Sequence, residues 1–116
     1  MTIDLPSGWT VEIASTSNGS PPDRQGGMSP AMGANWIRLR WQGARWCQPI
    51  DTGWQRSDMS ATKIAQWWEL VGTLDDILDA WDITVAEPSD PKQRWRIWCM
   101  IRHLECHPEM IDRGEP

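Results

Sequence analysis

Near the start of the chain, apolar and polar residues alternate. Ile3 and Leu5 are followed by Pro6-Ser7-Gly8, and Trp9, Val11 and Ile13 then resume the alternation. A period of two around a Pro/Gly turn predicts a β-hairpin over residues 1–14. Residues 15–34 are rich in Ser, Gly and Pro and have no period, which predicts a long loop. Over residues 35–41, Ile37, Leu39 and Trp41 share one face and Trp36, Arg38 and Arg40 the other. Gln42-Gly43 can turn the chain, Arg45-Trp46-Cys47-Gln48 returns it, and Pro49 is expected to limit further pairing, giving a second hairpin over 35–50.

From residue 58 the period changes. Ile64, Trp67, Val71, Leu74, Leu78 and Trp81 recur at alternating spacings of three and four, one apolar seam of a single long helix over 58–82. Ser57 or Asp58 can cap its start. Gly72 costs about 1 kcal/mol in a helix relative to Ala, so close packing against another element is expected there. Asp90-Pro91 is a strong helix start, and Ile97, Trp98, Ile101 and Leu104 form the stripe of a second helix over 90–107 that Pro108 ends. The short link between the two helices predicts antiparallel neighbours. Strands followed by helices imply an α+β fold: one domain over 1–116, a small antiparallel sheet of about four strands packed on a C-terminal helical hairpin. Trp67, Trp81 and Trp98 are the expected centre of the core.

The composition sharpens this. Ten Trp stand beside no Tyr and no Phe, so the core depends on indoles, each bringing a large apolar area and an N–H that needs an acceptor. Trp, Arg, Gly and Pro have GC-rich codons, so the bias reads first as that of a GC-rich genome or an overlapping reading frame. Three cysteines are too few and too scattered for a disulfide framework. No apolar run approaches the ~18 residues of a membrane span, and the first residues have neither the basic start nor the apolar stretch of a signal peptide. A cytoplasmic protein is therefore expected, in a host cytosol or incorporated in a virion, with no membrane partner. The net charge of −5 is uneven: residues 1–57 carry five basic and four acidic side chains, residues 58–116 six and twelve. That balance disfavours nucleic acid as a partner, since such binding rests on cationic contacts to phosphate.

Four groupings bear on chemistry. Asp75, Asp79 and Asp82, with Asp76 beside them, form an acidic surface near the C-terminal end of the first helix, where the macrodipole disfavours anions. Lys92, Arg94 and Arg96 are equally misplaced at the start of the second. An antiparallel hairpin makes the two sets complementary and predicts at least one contact from Arg94 or Arg96 to Asp79 or Asp82. The other readings of the acids are a surface that docks a basic partner and a carboxylate metal site. Cys99, His103, Cys106 and His107 are thiol and imidazole groups of the type that binds zinc, but they lack a CxxC knuckle, so small core cysteines are the simpler reading and no metal or other cofactor is expected. His103 could approach Cys106 as a base for a nucleophile, yet no GxSxG elbow or P-loop is present, and the chain reads as non-enzymatic. Trp36, Arg38, Arg40, Arg45 and Trp46, joined by Met28 and Met32 from the loop, form the expected partner-binding surface, because Trp and Arg dominate interface hot spots.

Leu5-Pro6-Ser7-Gly8-Trp9 resembles the LPxGW opening of WW domains, and is similar to the opening of methyl-CpG-binding domains. The resemblance covers five residues. The central Tyr/Phe residues and the second Trp followed by proline of a WW domain are missing, so the segment is read as a hairpin turn. The functional expectation is a non-enzymatic protein–protein interaction module. Small acidic chains of this kind occur among phage and prophage accessory proteins, as virion assembly components or inhibitors of a host defence enzyme, with a protein partner or self-association. The alternative is a zinc-stabilised nucleic-acid-binding module using the Trp/Arg hairpin.

Overall fold

The computed structural model describes residues 1–17, 19–24, 33–43, 48–86 and 91–106. Met28, Met32, Arg45, Trp46, Cys47, Asp90, His107 and Pro108 lie outside them, so the expectations placed on those residues do too. Strand β1 (Thr2–Asp4) pairs antiparallel with β2 (Trp9–Thr16), Ile3 opposite Val11. Between them Ser7 and Gly8 both take left-handed backbone conformations, φ 63° and 83°. Leu5 N–H donates to Trp9 C=O at 2.9 Å, closing the turn. LPSGW is thus the bend of this hairpin, with Leu5 and Trp9 at either end in the core.

β3 (Ala34–Trp41) lies antiparallel to β2 along its full length, Ile13 opposite Ile37 and Val11 opposite Leu39. The far edge of β3 is covered by two short strands, β4 (Ile50–Asp51) and β5 (Gln55–Ser57). Pro49 therefore does not limit the ladder as expected. A proline removes only its own donor, and the strand begins one residue later. Between β4 and β5, Thr52 keeps the ladder intact by both its groups: its N–H donates to Leu39 C=O at 3.1 Å, and its hydroxyl accepts from Leu39 N–H at 3.0 Å.

The expected single helix over 58–82 is two. α1 spans Ala61–Glu69 and α2 spans Leu74–Thr84. Ser60, rather than Ser57 or Asp58, caps α1 through Lys63 N–H. α2 starts afresh at Thr73, whose hydroxyl accepts from Asp76 N–H while the Asp76 carboxylate accepts from Thr73 N–H, a reciprocal capping box. Gly72 N–H donates to the same carboxylate, so Gly72 is part of a helix start and not a close-packing site; a Cβ there would meet nothing nearer than 3.8 Å. The break resets the helical phase. α1 buries Ile64, Ala65 and Trp68, and Trp67 is 39% exposed.

α3 (Pro91–Cys106) runs antiparallel to α2, and the two lie over the sheet face that carries Trp9, Val11, Ile13, Ile37, Leu39 and Trp41. α2 sits between α1 and α3. Among the described residues, the most deeply buried indoles are Trp9, Trp68 and Trp81, with Trp41 close behind. Trp81 is where it was expected, whereas Trp67 gives way to its neighbour and Trp98 is half-buried, with Ile97, Ile101 and Leu104 forming the inner face of α3. Trp68 Nε1 donates to the Thr84 hydroxyl at 3.1 Å, which donates on to Ala80 C=O at 2.6 Å, so one threonine ties α1 to α2 inside the core. Among the described residues, no helix is long and apolar enough to cross a membrane.

Candidate protein-docking groove

The two places where tryptophan and arginine meet differ in what surrounds them. On the outer face of the sheet, β3 aligns Trp36, Arg38 and Arg40. Trp36 is only 9% exposed, and its Nε1 donates to the Thr16 hydroxyl at 3.1 Å. The Arg38 guanidinium forms a two-pronged pair with the Asp51 carboxylate and lies over the Trp54 ring at 5.9 Å. This pairing holds Asp51 below the ordinary carboxylate value of 3.8 and raises Arg38. Arg40 reaches Glu12 on the neighbouring strand at 3.6 Å. Trp41 points the other way, into the core, where it packs against Trp9 and donates to Ser7 C=O at 3.0 Å.

The acids of α2 are divided just as unevenly. Asp82 holds Arg94 by two bonds of 2.8 Å, the contact expected from the misplaced charges, and raises the Arg94 guanidinium. Asp75 pairs with Arg102, which also meets Glu105 at 3.0 Å. Asp76 is taken up by the capping box, whose backbone donors hold it below its ordinary value. Asp79 and Arg96 make no ion pair among the described residues, and Asp76 has only the donors of its capping box.

Arg96 lies instead on a groove of about 590 Å³. Gln48, Pro49 and Ile50 form one wall, and Trp95, Arg96, Cys99, Met100 and His103 of α3 form the other. Helical spacing explains the second wall, since positions 96, 99, 100 and 103 recur every three or four residues along one stripe. Trp95 is 61% exposed and stacks on Trp98, ring centroids 5.1 Å apart and planes 19° apart. The stack fixes the orientation of a large aromatic surface that stays in contact with water. Periodicity alone did not single Trp95 out, because it falls off the apolar stripe; an off-stripe Trp beside an off-stripe Arg was the available signal.

Of the suggested metal group, Cys99 and His103 line this groove and Cys106 is exposed at the end of α3. Among the described residues, no three His, Cys, Asp or Glu side chains stand together as a cation site. Searches with protein-family models, among curated proteins and among solved structures find no match to this chain.

Proposed function

We propose that this protein is a non-enzymatic protein-binding module that receives its partner in the groove between α3 and the segment leading into β4. The exposed Trp95, held in place by Trp98 beside the unpaired Arg96, carries the reading. Aromatic and arginine side chains are the usual anchors of protein interfaces. Here the pair borders a concave surface lined by Met100, whose flexible side chain adapts to an incoming group. A partner suited to it presents an apolar side chain for the groove and a carboxylate for Arg96. The outer sheet face supports the reading less, because Trp36 is covered and Arg38 and Arg40 are already paired. Virion assembly and inhibition of a host defence enzyme are both settings for such a module.

The test is capture from the native host with tagged wild type, a Trp95→Ala/Arg96→Glu variant, and an Arg56→Glu control on β5. The expected result is a protein retained by the wild type and the control and lost with the groove variant. Equal capture by all three would move the docking surface elsewhere. Salt-sensitive binding of single-stranded DNA or RNA would favour the alternative, a nucleic-acid module.

A further inference from the structure

Asp79 and Arg96, which like Lys63 and Glu69 of α1 make no ion pair among the described residues, border two different apolar surfaces. Asp79 borders a shallow pocket at the α1–α2 corner together with Trp67, Leu70 and Val71. Leu70, at the end of α1, is 76% exposed, and with Trp67 and Trp95 it is among the few large apolar side chains left in water among the described residues. Arg96 and Trp95 border the groove on α3. Because α2 separates α1 from α3, the two surfaces occupy opposite flanks of the layer. One is a corner where the exposed Leu70 stands beside the Asp79 carboxylate, and the other an apolar groove beside the Arg96 guanidinium. Within one molecule Asp79 and Arg96 form no ion pair with each other.

We infer that the groove of one copy takes the α1–α2 corner of a second copy, with Leu70 entering beside Trp95 and Asp79 pairing with Arg96. The inference rests on the groove being a protein-docking site and names its occupant as this same chain. A contact between two different surfaces is heterologous, so each copy keeps one free groove and one free corner. Assembly then continues into a ring or an open filament rather than stopping at a dimer.

That geometry has a signature that a symmetric dimer lacks. Leu70→Asp disables the corner and Arg96→Glu the groove, both at exposed positions where folding is unaffected, as circular dichroism would verify. By sedimentation at millimolar protein and low salt, the wild type is expected to form species larger than a dimer, and each variant alone to remain monomeric. An equimolar mixture of the two variants retains one functional groove and one functional corner, and is expected to form a species of twice the monomer mass and nothing larger. A monomeric wild type, or a mixture that stays monomeric while the wild type assembles, overturns the pairing. Neither result touches the docking reading itself, which falls only if host capture is indifferent to the groove variant.

Discussion

The outer face of β3 and the exposed flank of α3 both set tryptophan beside arginine, yet only Arg96 on α3 is left without an ion pair beside its tryptophan. In the sheet, neighbouring strands bring both directly opposite and diagonal side chains within reach, so an arginine on β3 meets acids from the strands on either side. Arg38 stands opposite Glu12 and Arg40 opposite Asp51, and both pairs form on the diagonal, Arg38 with Asp51 on β4 and Arg40 with Glu12 on β2. The described residues across the groove from Arg96 are the uncharged Gln48, Pro49 and Ile50. Arg96 finds no acid one turn away, because positions 92, 93, 99 and 100 are Lys, Gln, Cys and Met. The same two residue types are therefore part of the fold in one place and free in the other. Which is which depends on the partner strand, not on composition.

Alanine scanning of the two tryptophans is the largest test of this contrast. Trp36→Ala removes a buried indole and is expected to destabilise the protein by about 3 kcal/mol or more. Trp95→Ala loses only an exposed stack, about 1 kcal/mol or less. Urea unfolding of the two variants measures both, and equal losses would erase the distinction between the faces. A smaller change probes the same site: Thr16→Val keeps the volume near Trp36 but takes away the acceptor of its indole N–H. Stranding that buried donor is expected to cost about 1–3 kcal/mol.

The fold was largely readable because the strands follow their alternation closely. Trp9, Val11, Ile13, Ile37, Leu39 and Trp41 all face the core, as period two requires. The helical seam departs from its apparent period for a local reason. Spacings of three and four can be threaded through two helices as easily as one, so the period points to Trp67 where the core holds Trp68. The correcting signal was present in Gly72-Thr73 and Asp76, a helix start inside the apparent helix. Thr73→Ala should accordingly lower stability by about 1 kcal/mol, read from thermal unfolding; no loss would mean that α2 does not depend on its cap. The groove was less readable, because its two walls come from residues 48–50 and 95–103, and no local pattern joins them. The pairing of Arg94 with Asp82 could be foreseen, since two helices with charges at the wrong ends of their dipoles improve by meeting.

The smallest effect separates the faces by pH. Arg38 and Asp51 are both partly exposed, so their pair contributes only a few tenths to about 1 kcal/mol. Asp51 titrates below 3.8 in the folded protein, first because of its bond to Arg38 and further because Gly53 N–H donates to it. A carboxyl group held low in the folded state contributes its full stability above the unfolded value, and loses it as pH falls through the lower folded value. A double-mutant cycle with Arg38→Gln and Asp51→Asn should therefore give a coupling that is constant from neutral pH down to about 5 and vanishes at acid pH. The equivalent cycle between α3 and α2, Arg96→Gln with Asp79→Asn, should show no coupling at any pH in dilute monomer. Coupling between Arg96 and Asp79 that rises with protein concentration would place that pair between molecules. Coupling independent of concentration would mean that the two groups meet within one chain, and the contrast between strand and helix would fail at the residues on which it depends most.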